Sequence, residues 1–334
     1  MDLLEPATFD LLNRWQRDFP LEPRPFARIA AQCAGLDAPA VLERYRALAA
    51  AGALSRIGAV FRPNTVGAST LAAMQVRPAA LEQVAALVSA QPEVNHNYAR
   101  EHALNLWFVA TAPDAAALEA ALARIERASG CAVLRLPLVE EYHIDLGFDL
   151  ADGAVPRPGP AAAGVPLALS AAERRLVEAL DDGLPLVAAP YAALGEPVGL
   201  SEAEVIAILR GWLERGVMRR FGAVLRHRLL GYAANAMVVW DVPDAEVRAA
   251  GTRAARLPQV TLCYRRLRRR PAWPFNLYCM LHGRARDEVA RAIERVAREA
   301  SLSGYPRQVL FSGRCFTQRG ARYAASPAAE TAHG

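Results

Sequence analysis

The residues Gly52–Val76, GALSRIGAVFRPNTVGASTLAAMQV, return 164 positions later as Gly216–Trp240, GVMRRFGAVLRHRLLGYAANAMVVW. Without a gap, Gly58 matches Gly222, Ala59 matches Ala223, Val60 matches Val224, Arg62 matches Arg226 and Gly67 matches Gly231. A chain that repeats itself at this spacing is a tandem duplication, and any fold assigned to one half must serve the other. At 334 residues, each copy has about 165, enough to bury a useful core, especially if the copies pack on one another.

Within each copy the pattern has two parts. The first copy opens with apolar-periodic stretches at Thr8–Arg17, Pro25–Ala34 and Asp37–Ala51, which read as helices. Asp37 is placed to cap the third, and Gly52 to stop it. The second copy repeats the trio at Ser170–Leu180, around Ala188–Leu194, and at Ser201–Arg215, where Ser201 and Glu204 have capping-box spacing. A short hairpin is expected after each trio, at Ala53–Arg62 and Met218–Arg226, which makes a winged helix-turn-helix. The remainder of each copy reads strand–helix–strand–strand–helix–strand, a ferredoxin-like βαββαβ unit. Its last strands are expected at Val133–Leu138 and Arg307–Phe311.

The expected class is α+β, with domains at 1–65 (winged helix), 66–150 (ferredoxin-like), 166–230 (winged helix) and 231–320 (ferredoxin-like). The Pro/Gly/Ala-rich residues 151–165 read as a linker and 321–334 as a tail. The two copies are expected to superpose, their sheets packed through a pseudo-two-fold interface.

All 39 basic residues are arginine, and the net charge is only +5. Arginine's planar fork suits carboxylates and phosphates. Five scattered cysteines without CxxC spacing indicate neither a disulfide framework nor a metal site. With no basic-then-apolar leader and no 18-residue apolar run, a cytoplasmic location is expected.

A second repeated block carries the chemistry. Asn97-Tyr98-Ala99-Arg100 matches Cys263-Tyr264-Arg265-Arg266, and Asn105-Leu106 matches Asn276-Leu277. Between these pairs the first copy has only Glu101–Leu104, whereas the second has the longer Leu267–Pro274, rich in arginine. That asymmetry suits a single composite pocket between pseudo-equivalent domains. Arg100, Arg219, Arg265 and Arg266 are candidate forks, joined by Arg220, and Tyr98, Tyr264, Trp107 and Trp273 are candidate flat surfaces. Any one of them alone is as well explained as solvated loop or core. Among the six histidines, His96 has Leu262 at its repeat position and His227 has Pro63. A purely architectural residue in a duplicated fold tends to be duplicated, so these two are the candidate proton carriers. His102 and His282 are weaker candidates for substrate contact, and His143 reads as structural.

The winged helix plus split βαβ unit resembles the Lrp/AsnC family. The words RRFGAVLRH…GYAANAMVVW, NHNYAREHALNLWF, LCYRR…WPFNLYCMLHG and LFSGRCFTQRGARY are similar to those of the sirohaem (siroheme) decarboxylases, Lrp-like proteins that work as two homologous subunits. The resemblance spans nearly the whole chain. It implies an enzyme that takes siroheme to its 12,18-didecarboxy product on the way to heme d1, without an organic cofactor, the iron being part of the substrate. It also implies homologous partner subunits or a homodimer. A DNA-binding regulator of Lrp/AsnC type and a non-catalytic tetrapyrrole binder are the alternatives. Specific DNA binding is not expected, since the candidate recognition helices begin Asp37-Ala38-Pro39-Ala40 and Ser201-Glu202-Ala203-Glu204, acidic or apolar where a phosphate or base edge would lie.

Overall fold

The computed structural model describes residues 5–33, 35–144, 167–225 and 234–323. In chain order the elements are α1 (Pro6–Arg14), α2 (Pro25–Ala30), α3 (Ala38–Ala50), β1 (Leu54–Phe61), β2 (Ala68–Met74), α4 (Leu81–Ser89), β3 (Val94–Arg100), β4 (Leu106–Ala112), α5 (Ala115–Ser129) and β5 (Val133–Ile144). The second copy follows with α6 (Ala171–Ala179), α7 (Pro190–Gly195), α8 (Glu202–Glu214), β6 (Met218–Leu225), β7 (Ala234–Trp240), α9 (Val247–Ala255), β8 (Val260–Arg266), β9 (Leu277–Gly283), α10 (Arg286–Glu299) and β10 (Arg307–Gln318). The duplicated winged-helix and ferredoxin-like pattern is present in both copies. The expected linker, the last residues and the hinge carrying His227 lie outside the described residues.

The chain does not divide at its midpoint. One compact unit gathers residues 1–66 and 164–231, and the other gathers 67–163 and 232–334. Like parts of the two copies therefore assemble together.

In the first unit the local signals work as the residues suggest. Asp37 accepts from the Ala40 amide at 2.8 Å, and Ser201 with Glu204 forms a reciprocal capping box on α8. A second capping box, Ser170 with Glu173, starts α6. The expected wing hairpins are absent among the described residues. Each copy supplies one strand, and β1 pairs antiparallel with β6. Gly58 lies opposite Gly222, Ile57 opposite Ala223 and Ala59 opposite Phe221. Because Gly222 is the repeat partner of Gly58, a pseudo-two-fold axis passes between these glycines. A single strand with an unpaired edge would be costly, and its own duplicate satisfies it. The outer edges are covered by short backbone runs: Ala223 N–H donates to Trp15 O at 2.8 Å, Phe19 N–H to Phe221 O at 3.1 Å and Leu184 N–H to Ile57 O at 2.6 Å.

In the second unit, eight strands close into a barrel in the order β10-β3-β4-β2-β5-β8-β9-β7. The sheets of the two copies thus join edge to edge. The device is the length of the last strand in each copy. β5 pairs with β2 over Val133–Pro137 and then with β8 over Leu138–Ile144. β10 pairs with β7 over Arg307–Phe311 and then with β3 over Ser312–Gln318. Both strands run twelve residues, about twice the expected length. Closure removes every free edge.

Side-chain alternation then sorts the strands into two faces. Outside, α4 and α5 cover Phe108, Ala110, Val94 and Leu106, while α9 and α10 cover Val238, Trp240, Cys279 and Leu281. Inside, Leu71, Ala73, Trp107, Leu136, Met237, Val239, Tyr264, Tyr278, Met280 and Leu310 form a third cluster with Trp273 and Phe275. No helix among the described residues is long and apolar enough to cross a membrane.

Candidate functional site

The inner face of the barrel carries the polar groups that need explanation. Arg100 ends β3. Its Nη1 donates to Leu310 O and to Ser312 Oγ, both at 3.0 Å, and Nη2 lies 3.9 Å from Met280 Sδ. Ser312 in turn donates to Asn235 Oδ1. Arg266 ends β8 at the repeat position, and its Nη1 donates to Leu136 O at 2.6 Å. Since β5 and β10 are repeat partners, Leu136 and Leu310 are pseudo-equivalent. The two arginines therefore hold the same carbonyl in the two halves of the barrel. Arg266 also lies over the Tyr264 ring at 4.6 Å and near Tyr278 at 6.0 Å, a cation–π arrangement.

Neither arginine has a carboxylate partner among the described residues, and the Nε of each is buried without a hydrogen-bond acceptor. Burial pulls the Arg100 pKa down to about 10, partly offset by Tyr264 and Tyr98, so it remains charged at neutral pH. Two guanidiniums held by backbone carbonyls and a hydroxyl, with no carboxylate partner among the described residues, are expensive by themselves.

The aromatic groups divide. Tyr264 and Tyr278 face each other across β8 and β9, with ring centroids 5.6 Å apart and planes at 20°. The rings of His96 and Tyr98 lie nearly parallel on β3, at 6.3 Å and 13°. His102 accepts the Leu104 N–H on Nδ1 at 3.0 Å, so its proton sits on Nε2, and burial lowers its pKa. The ring meets Trp273 edge-on at 5.5 Å. His282 shares the inner face of β9 with Tyr278 and Met280, and its Nδ1 is 2.9 Å from Thr261 Oγ1. Burial and the nearby Arg100 charge hold its pKa at about 4. Its repeat position is Thr111. His143 and Glu141 are both buried on β5, opposite β8.

Other expected site residues are used differently. Trp273 is 1% exposed and packs against Trp107 and Phe275, with its indole N–H donated to Tyr278 Oη at 2.6 Å. In the ligand-free chain it is core, not an open platform. Arg265 is paired with Asp244 at 2.7 Å. Arg268 binds Asp241 and Asp244 together with the carbonyls of Pro274 and Val242, and Arg270 binds Asp241. The arginine-rich loop is thus mostly pinned by two aspartates that follow β7. Arg219 belongs to the winged-helix unit, on β6; burial and the neighbouring Arg62 charge lower its pKa to about 9. Residue 227 lies outside the described residues, so the pairing of His96 with His227 has no geometry here. Sequence reasoning passed over Tyr278, Asn235, Ser312 and Thr261. They sit at inner-face positions, but only the strand register reveals which polar residues share that face. No group of three or more histidine, cysteine or acidic side chains among the described residues is placed to hold a metal ion.

The fold is that of a duplicated Lrp/AsnC-type chain whose ferredoxin-like sheets close around two arginines with no carboxylate partner among the described residues. Residues 66–143 and 229–317 match the AsnC-like ligand binding domain, and residues 10–54 and 173–219 match the siroheme decarboxylase NirDL-like HTH domain. The chain is 48% identical over 318 residues to the siroheme decarboxylase NirDL subunit of Paracoccus denitrificans (strain Pd 1222), covering 94% of this chain and 96% of that one. It is also 48% identical over 161 residues to the siroheme decarboxylase NirL subunit of Stutzerimonas stutzeri, which covers 48% of this chain. The crystal structure of the siroheme decarboxylase NirDL in complex with an iron-uroporphyrin III analogue superposes with a TM-score of 0.68 at 28% identity, covering 95% and 94% of the two chains. The chain belongs to the siroheme decarboxylase NirDL family, as a fused form of two homologous subunits.

Proposed function

We propose that this chain removes the 12- and 18-acetate carboxyl groups of siroheme as carbon dioxide, on the route to heme d1. The observation that carries the reading is the pseudo-symmetric pair Arg100 and Arg266 on the inner face of the barrel, each with a buried Nε and neither with a carboxylate partner among the described residues. Siroheme brings eight carboxylates, and charge-assisted bonds to those that remain would hold the ring while two acetates leave. An arginine gripping a departing carboxylate would stabilise the ground state, so the forks belong to the retained groups.

Each turnover converts a ring acetate and one proton into a ring methyl and carbon dioxide. Protonation of the pyrrole ring lets the conjugated system accept the electron pair of the breaking C–C bond. The exocyclic methylene so formed takes up a proton, and the ring gives its proton back. No oxidant enters. His96, beside Tyr98 and four residues before Arg100, is placed to carry the proton, with His227 as its partner in transfer and orientation. Tyr98, Tyr264, His102 and His282 furnish the surrounding contacts. Arg265 and Trp273 act through the loop they belong to, and Arg219 from the winged-helix unit. We assign the protein to the cytoplasm, working either as a dimer of this chain or with homologous decarboxylase subunits.

The test is anaerobic incubation of the purified full chain with siroheme, followed by product mass. Successive losses of one and two carbon dioxide units are expected. Siroheme recovered unchanged, with saturable binding demonstrated, would leave a tetrapyrrole-binding protein in place of an enzyme.

A further inference from the structure

Two ion pairs cross the seams where the copies join, and one is the charge reversal of the other. The helices α4 and α9, and the strands β5 and β10, begin at repeat positions, so Glu82 corresponds to Arg248 and Glu140 to Arg314. A shared contact fixes that alignment: Asn97 Nδ2 donates to Ala85 O at 3.0 Å, and Cys263 Sγ to Gly251 O at 3.4 Å, the same two positions in either copy. At one seam Arg314 of the second copy binds Glu82 of the first at 2.7 Å. At the other, Arg248 of the second copy binds Glu140 of the first at 2.9 Å. Both acids belong to the first copy and both arginines to the second. Two first copies joined in this way would set Glu82 against Glu140 at each seam, and two second copies would set Arg248 against Arg314. A further pair, Glu101 with Arg286 at 2.6 Å, has Leu267 and Ala115 at the repeat positions, so a like pairing would lose it.

Shape agrees with charge. Tyr142 of β5 lies so close to Gly251 of α9 that a Cβ there would fall 2.1 Å from its ring. Glycine inside a helix is otherwise unfavourable, and the ring accounts for it. The repeat position of Gly251 is Ala85, which carries that Cβ, so a first copy opposite its like would bring Tyr142 onto it. In the chain as it is, Phe316, the repeat partner of Tyr142, packs on the cluster that contains Ala85. Tyr142 Oη also donates to Glu140 Oε2 at 3.0 Å, which ties the ring to the ion pair. We propose that the two seams form a recognition surface that admits only unlike copies. A first-copy half bearing Glu82, Glu140 and Tyr142 fits a partner bearing Arg314, Arg248 and Gly251, whether that partner is the rest of its own chain or the corresponding half of another. Solvent-facing ion pairs add little stability by themselves; their use here lies in what the wrong pairing would cost. Exchange of halves between chains is therefore reciprocal, first copy to second.

The experiment uses the full chain carrying Tyr142→Phe, so that the hydrogen bond to Glu140 does not enter, and a protease site within residues 151–165. Glu82→Arg with Glu140→Arg, or Arg248→Glu with Arg314→Glu, makes both seams like-charged. Each double reversal should lower the folded-to-unfolded ratio in urea at low salt by roughly 5–30-fold, and the fourfold variant should recover most of that loss. Equal stability throughout, or losses that simply add in the fourfold variant, would overturn the proposal. For partner choice, the parent and the fourfold variant, one of them 15N-labelled, are cleaved at the site, mixed in urea, refolded by dilution and weighed by native mass spectrometry. Matched halves should outnumber crossed ones by about tenfold or more, with no complex of two like halves. A statistical mixture, or complexes of like halves, would equally overturn it. Labelled and unlabelled parent mixed in the same way should give the statistical mixture, which shows that halves exchange; without exchange there, the urea series decides alone.

Discussion

Replacing Arg100 with Gln separates stability from binding, because burial gives the guanidinium a cost and the proposed function gives it a use. Burial pulls its pKa down from the ordinary arginine value to about 10. That difference lies wholly above neutrality, so the charged form carries the full penalty at pH 7, about 3 kcal/mol at 1.36 kcal/mol per pKa unit. Against this stand the bonds to Leu310 O and Ser312 Oγ, together about 2 kcal/mol, of which a glutamine amide could keep one. Arg100→Gln should therefore leave the ligand-free protein as stable as the original, or more stable by about 1–2 kcal/mol. Siroheme affinity should drop by about 10–100-fold, the value of one charge-assisted bond. Urea unfolding followed by tryptophan fluorescence, with an anaerobic optical titration of siroheme, reads both quantities. Destabilisation beyond about 2 kcal/mol with unchanged affinity would refute the argument and make Arg100 a structural strut.

Gly222→Ala should destabilise the winged-helix unit by about 2–4 kcal/mol, since the new Cβ would lie 2.4 Å from Gln16 O and displace the backbone that bonds Ala223 and Phe221. Its repeat partner is the control: Gly58→Ala meets nothing nearer than 3.4 Å and should stay within about 1 kcal/mol by thermal unfolding. His102 has a folded pKa below its ordinary value, so the unfolded chain binds the proton first as pH falls, and stability declines through and below the usual histidine range. His102→Gln should flatten that part of a stability-versus-pH curve between pH 7 and 5; an unchanged slope would exclude the residue. Arg268→Ala should cost about 1–2 kcal/mol by removing its bonds to Asp241, Asp244 and the carbonyls of Pro274 and Val242, while Arg270 and Arg265 still pair the two aspartates, with hydrogen exchange rising across residues 267–276.

Much of the fold was legible because its signals are local. Asp37, and Ser201 with Glu204, each act within a few residues, and the period-2 and period-3.6 patterns mark strands and helices without reference to partners. The strand β1 was misread as a hairpin for the complementary reason. LSRIGAVF has the alternation and the glycine of a tight turn, yet its partner is β6, more than 150 residues away. The length of β5 was missed likewise. Leu138–Ile144 finds its hydrogen bonds on β8, and a proline at 137 and consecutive glutamates at 140 and 141 look like the end of a strand when read alone. Composition pointed to arginine forks but could not sort them: Arg265 and Arg266 are neighbours in sequence, and strand alternation sends the first to Asp244 and the second into the barrel.

Duplication supplies the sharper criterion. Where both copies keep a group in the same role, the role is architectural or common to both halves of the ligand. Asn105 clamps Val76 N–H and O at 2.9 and 2.8 Å, and Asn276 clamps Val242 N–H and O at 3.0 and 2.9 Å. Those bonds close the split unit in either copy and need no substrate. Arg100 and Arg266 also coincide, but a backbone carbonyl is a poor reason to bury a charge twice; under the proposed function their duplication would answer a ligand with acidic groups on both sides. His282 opposite Thr111, and Trp273 on a loop the first copy lacks, break the symmetry inside a barrel that otherwise preserves it. A macrocycle losing only two of its eight carboxylates must be held by groups that tell its edges apart. Under the proposed function the duplicated arginines could not do this alone, and the unduplicated histidine and loop would supply the asymmetry.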